Sequence, residues 1–301
     1  MASGMVSMSL LTPPRHHRLY SAILTSLNPC LSHFPTASTL TILFRQSRSL
    51  SYQKVFTRNS LDGSSPDALQ STVYNGSYGP WKIEESDVRE VILYRSGLVT
   101  AASAFVIAAS CAFLGGTSLF RDIIGQNLDT LYAIGAGGLG LSLILIHIYV
   151  TEIKRTLQAL WLLGIIGSVA TDYVFARPAG LSLVEYVVQN PASVWFVGPL
   201  FAALTGLVFK EGLCYGKLEA GILTFVIPSV LLGHLTGIMD ESVKLTLLGS
   251  WMAFFVIFAG RKFTQPIKDD IGDKSVFMFN SLSENDKELL LEKLEKLKDE
   301  E

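Results

Sequence analysis

Long uncharged stretches alternate with short charged clusters from Ser96 to Gly260, and this alternation is the strongest signal in the chain. The stretches are 96–120, 130–151, 156–171, 192–209, 220–239 and 245–260. Crossing roughly 30 Å of hydrocarbon takes about 20 helical residues, with about 17 as a practical minimum. The first, second and fifth stretches meet this directly. The fourth does so by recruiting Val187 and Val188, and the third and sixth do so if Asp172 and Lys244 enter the membrane edge, where a charge costs far less than at the centre. The pattern therefore predicts an all-α, polytopic membrane helix bundle with about six transmembrane helices: 96–120, 130–151, 156–176, 190–209, 220–239 and 243–260.

Flanking segments extend this picture. Residues 81–95 read as an interfacial helix, with Ser86 as N-cap and Val88, Val91 and Ile92 on one face. The chain turns polar at Pro266, so 262–301 read as a soluble tail with a helix over about 284–299. Ser281 and Glu284 have capping-box spacing there, and Leu290, Leu294 and Leu297 fall on one face. This C-terminal soluble helix either packs on the domain's own face or docks a partner.

Composition places the membrane domain in a compartment. No Asp or Glu occurs before Asp62, while Arg15, Arg18, Arg45, Arg48, Lys54 and Arg58 lie among many Ser and Thr. Basic, hydroxyl-rich and acid-free is the composition of an organelle transit peptide. A secretory signal fits poorly, because Pro29 and Pro35 break the only apolar run. The uncharged opening, MASGMVSMSLLTPP, favours a plastid over a mitochondrion. Residues 1–60 thus read as a plastid transit peptide and 61–80 as a disordered spacer.

Charge then orients the spans. With six crossings, one side holds Arg89, Arg95, Lys154, Arg155, Lys210, Lys217, Arg261, Lys262 and Lys268, against Arg121, Arg177 and Lys244 on the other. The positive-inside rule puts the richer side, with both termini, in the stroma. The net charge of −2 over 301 residues leaves no footprint for nucleic acid.

Candidate chemistry is sparse. Gly135, Gly137 and Gly140 spell GxGxxG, but inside an apolar run too long for the strand that a dinucleotide site requires. Ala133, Gly137, Gly140 and Ser142 instead read as small residues for close helix approach. His147 and His234 are the ionisable side chains inside spans, and depth separates them: one lies about 7 Å from the basic end and the other about 9 Å from the opposite end. They cannot share a metal ion, and each reads best as an interhelical hydrogen bonder. Lys210, Glu211, Cys214, Lys217 and Glu219 crowd the fourth loop, which is either a tight connector or a structured cap that meets a ligand or partner. Asp172 and Lys244 stand at one depth and are expected to pair if their helices are neighbours. No cofactor, metal or catalytic motif is recognisable, so no catalytic residue is assigned.

Three runs carry a resemblance: Tyr74-Asn-Gly-Ser-Tyr-Gly-Pro-Trp-Lys-Ile, Arg89-Glu-Val-Ile-Leu-Tyr-Arg, and Phe209-Lys-Glu-Gly-Leu-Cys-Tyr-Gly-Lys-Leu-Glu-Ala220. Over roughly 74–268 the chain resembles an integral membrane family of cyanobacteria and plastids that is a domain of unknown function. The resemblance implies a photosynthetic-lineage membrane protein and no chemistry. The expected partners are the lipid bilayer and a stromal or membrane protein met through 210–219 and the C-terminal helix. The leading expectation is a non-enzymatic assembly, scaffold or regulatory factor. A small transporter or channel is the first alternative and an intramembrane enzyme the second.

Overall fold

The structure, a computed structural model, describes residues 72–114 and 119–299. The expected targeting segment, 1–60, and the first part of the expected spacer lie outside these residues. A short antiparallel hairpin comes first, β1 (Val73–Gly76) and β2 (Gly79–Lys82), with Tyr74 opposite Trp81. The helices α1 (Glu85–Ser110), α2 (Leu119–Gln126), α3 (Leu128–Leu145), α4 (Thr151–Thr171), α5 (Leu183–Gln189), α6 (Val194–Tyr215), α7 (Leu218–Thr236) and α8 (Glu241–Arg261) follow. Past the last of these come α9 (Ile267–Ile271), α10 (Lys274–Asn280) and α11 (Glu284–Asp299).

Among the described residues, six segments are long and apolar enough to cross a bilayer: Glu85–Ser110, Leu128–Leu145, Thr151–Ala179, Pro191–Leu213, Leu218–Thr236 and Glu241–Arg261. The all-α polytopic bundle is therefore as the hydropathy pattern indicates. The helices close into a ring in the order α3, α1, α8, α7, α6, α4, with α4 returning to α3. The buried core runs through it from Leu98 and Leu139 to Leu204, Leu223 and Phe255.

Small residues set a tight crossing of α1 on α3. A Cβ on Gly97 would lie 2.6 Å from the Gly138 carbonyl oxygen, and a Cβ on Gly138 would lie 2.6 Å from that of Gly97. Neither could be enlarged without moving α1 off α3, the geometry by which membrane helices gain packing that lipid cannot supply. Ser142 Oγ donates to the Tyr94 carbonyl at 2.9 Å and seals the same seam. The small-residue face thus contains Gly138 and Ser142, with Gly140 against Trp161, whereas Ala133 and Gly137 are exposed. The expected face was shifted because this helix is apolar all round and offers no polar stripe to mark its inside.

Several expected boundaries change. Residues 81–95 are not a separate interfacial helix: Trp81 and Lys82 belong to β2, and 85–95 are the first turns of an unbroken α1. Nothing between Arg95 and Ser96 can break that helix, and its start is held by Asp87, which accepts the Glu84 N–H at 2.9 Å. The last part of the expected spacer is the ordered hairpin. The third span begins at Thr151, earlier than expected, because Glu152 and Arg155 remain exposed in its first turn. It ends in a wide π turn, Asp172–Ala176. The C-terminal helix lies where expected, but Ser283 rather than Ser281 caps it, pairing with Asp286.

Candidate functional site: a buried ion cluster at the basic end

Glu211 is fully buried on α6, one turn before that helix stops. The helix runs on to Tyr215 and ends at Gly216, whose φ of 60° is a left-handed conformation that glycine adopts without strain. Only Gly216 and Lys217 separate α6 from α7. This corrects the expectation of a ten-residue loop: Lys210 to Tyr215 are helical, and Cys214 falls in the last turn of α6. The short link turns Lys217 back beneath the helix it has just left.

The carboxylate of Glu211 is surrounded by donors. Lys262 Nζ lies 2.8 Å and Lys217 Nζ 3.2 Å from Oε2, while the Tyr94 hydroxyl donates to Oε1 at 3.1 Å and Lys210 Nζ lies 3.4 Å from it. Lys262, just past α8, also donates to Asp270 Oδ1 at 2.5 Å. Arg95 then fixes the other oxygen of Asp270, with Nε at 2.6 Å and Nη2 at 2.5 Å. Gln265 links the two halves, donating to Asp270 and accepting from Lys217. Glu211, Lys262 and Asp270 are each no more than 2% exposed.

Burial of charge is costly unless the partners are fixed and every lone pair is met. The cluster satisfies that condition: among the described residues, no buried side-chain nitrogen or oxygen lacks a hydrogen-bond partner. Burial holds the Lys217 ammonium below the ordinary lysine range, with Glu211 opposing the shift. At the rim, Arg261 Nη1 reaches both oxygens of Glu219, at 2.6 and 2.7 Å.

A structured cap covers the cluster. Hairpin residues Tyr74 and Trp81 pack with Ile83, Val88, Val91, Ile267 and Ile271 in a second, smaller core. Asp273 accepts the Ser77 N–H at 2.7 Å, and its own N–H donates to the Tyr149 hydroxyl at 2.6 Å. Tyr78 stacks on Phe279 with ring centroids 4.0 Å apart. Lys274 reaches Asp87 at 2.8 Å, an ion pair that outweighs burial and raises the lysine above its ordinary range. The start of the domain and its tail are therefore one unit.

The remaining sequence candidates fall elsewhere. His147 lies beyond the end of α3 rather than inside a span, 3.4 Å from Glu90. His234 is in the last turn of α7, where Nε2 is 3.0 Å from the Val187 carbonyl oxygen. Asp172 and Lys244 do not pair as expected: Asp172 takes Arg177 at 2.8 Å, and Lys244 takes Glu241 at 3.7 Å. Their helices, α4 and α8, have two others between them in either direction around the ring. Sequence reasoning found Lys210, Glu211, Lys217 and Glu219 but missed Tyr94, Arg95, Lys262, Gln265 and Asp270. The available signal was that Tyr94 and Arg95 end one of the resemblance runs while Glu211 and Lys217 lie in another. Among the described residues, no group of three His, Cys, Asp or Glu side chains could hold a metal ion.

Fold and site define a six-helix integral membrane protein whose basic end is closed by a buried ionic lock. Residues 141–279 match the family described as Uncharacterized integral membrane protein (DUF2301). The resemblance to an integral membrane family of unknown function is thereby borne out, over a segment that contains Glu211, Lys217, Lys262 and Asp270. No curated protein and no solved structure matches the chain.

Proposed function

We infer that this is a non-enzymatic assembly, scaffold or regulatory factor of a plastid membrane, thylakoid or inner envelope, with its basic end and both termini in the stroma. The observation that carries the reading is the sealed basic end. Glu211 and Asp270 are saturated by fixed cations, which suits a rigid platform better than a group awaiting a proton or a substrate. A transport path through His234 and Asp172 has less support, because both side chains are engaged at the opposite end by Val187 and Arg177.

The platform offers one projecting element. Leu289 and Leu291 on α11 are 57% and 44% exposed, on a helix otherwise rich in Glu and Lys. That favours partner docking over packing on the domain's own face. Affinity purification from detergent-solubilised plastid membranes tests this, with the full chain compared against one lacking 284–301. A stoichiometric partner that is lost with the helix, while the bundle still inserts, supports the scaffold. Retention of the partner without α11, or recovery of none with the full chain, would overturn it.

A further inference from the structure

Opposite the ionic lock, the bundle is not solid. A cavity of about 760 Å3 lies between the far ends of α1, α3, α6, α7 and α8, roofed by α2 and α5. Its wall is apolar and aromatic, with Phe105, Phe201, Leu231 and Trp251 among the lining side chains. Protein interiors are otherwise close-packed, and a space of this size falls within the range of ligand sites, far above a packing defect.

The polar groups gather on the two roof helices. Arg121, Asp122 and Gln126 on α2, with Glu185 and Gln189 on α5, line the same cavity and are all exposed at its rim. The α5 half of the roof is held in place: Ser182 and Glu185 cap α5 reciprocally, His234 is hydrogen-bonded to the Val187 carbonyl, and Asp129 accepts the Val184 N–H at 3.4 Å. Leu119, Phe120 and Ile123 on α2 are 73%, 72% and 51% exposed, the pattern of a helix lying in the plane of a bilayer interface. The rim therefore sits at headgroup depth and the apolar wall lies in the hydrocarbon.

We propose that this cavity is a binding site for a membrane amphiphile with one apolar chain inside and a neutral, hydroxyl-bearing head at the rim, a sugar-headed lipid being the fullest form. The rim carries two carboxylates against one guanidinium, which disfavours an anionic phosphate head. Carboxylates accept hydrogen bonds from hydroxyls, and the carboxamides of Gln126 and Gln189 both accept and donate. The bilayer supplies the ligand at high local concentration, so modest affinity suffices for occupancy. The inference is independent of the scaffold reading.

The test is native mass spectrometry of the full chain in mild detergent, with glycosyl diacylglycerol or phosphatidylglycerol added at equal concentration. One retained glycolipid per chain is expected, favoured at least tenfold over phosphatidylglycerol. Ala108→Trp and, separately, Leu231→Trp fill the cavity from different helices and should each reduce retention about tenfold while helical content is kept. Asp122→Lys, at an exposed position that does not depend on packing, should shift preference toward phosphatidylglycerol. Equal retention by a folded filling variant would place the lipid on the outer surface and overturn the site. Preference for the anionic lipid, or none at all, in the unsubstituted chain would overturn the head assignment. Should neither filling variant fold, an unchanged preference in Asp122→Lys overturns the proposal by itself.

Discussion

Lys262 Nζ stands 2.8 Å from Glu211 and 2.5 Å from Asp270, so one ammonium just past the last span bridges a carboxylate from the fourth span and another from the tail. The three side chains join elements that are distant in sequence, and removal of any one takes a charged partner from a buried network. That asymmetry gives the first prediction. Glu211→Leu and Lys262→Met should each destabilise the detergent-solubilised protein by about 3–5 kcal/mol, the usual consequence of breaking a buried pair. The combination Glu211→Leu with Lys262→Met should cost clearly less than the sum of the two separate losses. Thermal unfolding of the four proteins reads the cycle, and strict additivity would mean that the pair is not coupled.

Two charge reversals should behave differently although both involve Glu219. Exchanging Glu219 and Arg261 keeps opposite charges in contact, with Arg261 half exposed and Glu219 buried, so the fold should survive with a lowered melting temperature. Exchanging Lys217 and Glu219 puts a carboxylate beside Glu211 and a cation beside Arg261, and should abolish the stable fold. Expression level and melting temperature in detergent distinguish the two, and equal tolerance would make the region a plain connector.

The glycine seam predicts a contrast between neighbours in sequence. Gly138→Leu should disrupt the α1–α3 crossing, since even a Cβ there is blocked by backbone. Gly137→Ala, one residue earlier, meets nothing within 4 Å and should be neutral or stabilise by up to about 1 kcal/mol. Melting temperatures of both variants test the assignment of the inner face.

Burial holds the His147 imidazole below its ordinary pKa of 6.5. Glu90 and Asp87 pull upward, while Lys210 and Lys154 reinforce the depression. The folded protein therefore binds fewer protons at this site than the unfolded chain does. This contribution to stability is fully present above pH 6.5 and falls as the pH drops through 6.5 toward the depressed value. Melting temperature measured from pH 7.5 down to about 5.5 should decline, and His147→Leu should flatten the upper part of that decline. An unchanged slope would show that another group sets it.

Orientation has its own test. On the proposed plastid location, protease acting on the stromal face of intact thylakoids or inner-envelope vesicles should remove α11 and leave the ring, because the basic residues gather at that end. Protection of α11 until the membrane is opened would reverse the topology.

The spans were legible because hydrocarbon imposes length and polarity on every helix that crosses it. What surrounds the spans was not. The same uniform hydropathy that reveals α3 hides which of Gly137 and Gly138 faces inward. The hairpin escaped notice because four-residue strands with a Gly and a Pro carry almost no alternation, and their stability comes from Ile271 and Phe279 some 190 residues later, in the tail. Glu211 and Lys217 stood out as a dense polar group, yet their depth was invisible. The cations and carboxylate that explain it belong to α8 and the tail, where each looked like one more solvated charge.

The ionic lock also imposes an order on biogenesis. A chain that enters its membrane N-terminus first presents Glu211 about fifty residues before Lys262 and still further ahead of Asp270. Until the sixth helix inserts, the fourth must carry its carboxylate with only the nearby lysines, or protonated, and α1 must wait for a partner to Arg95. The hairpin, made first, has nothing to rest on until the tail emerges last. Closure of the basic end thus waits for the tail: a chain truncated before Asp270 leaves Arg95 and Lys262 without the carboxylate that they share in the finished chain.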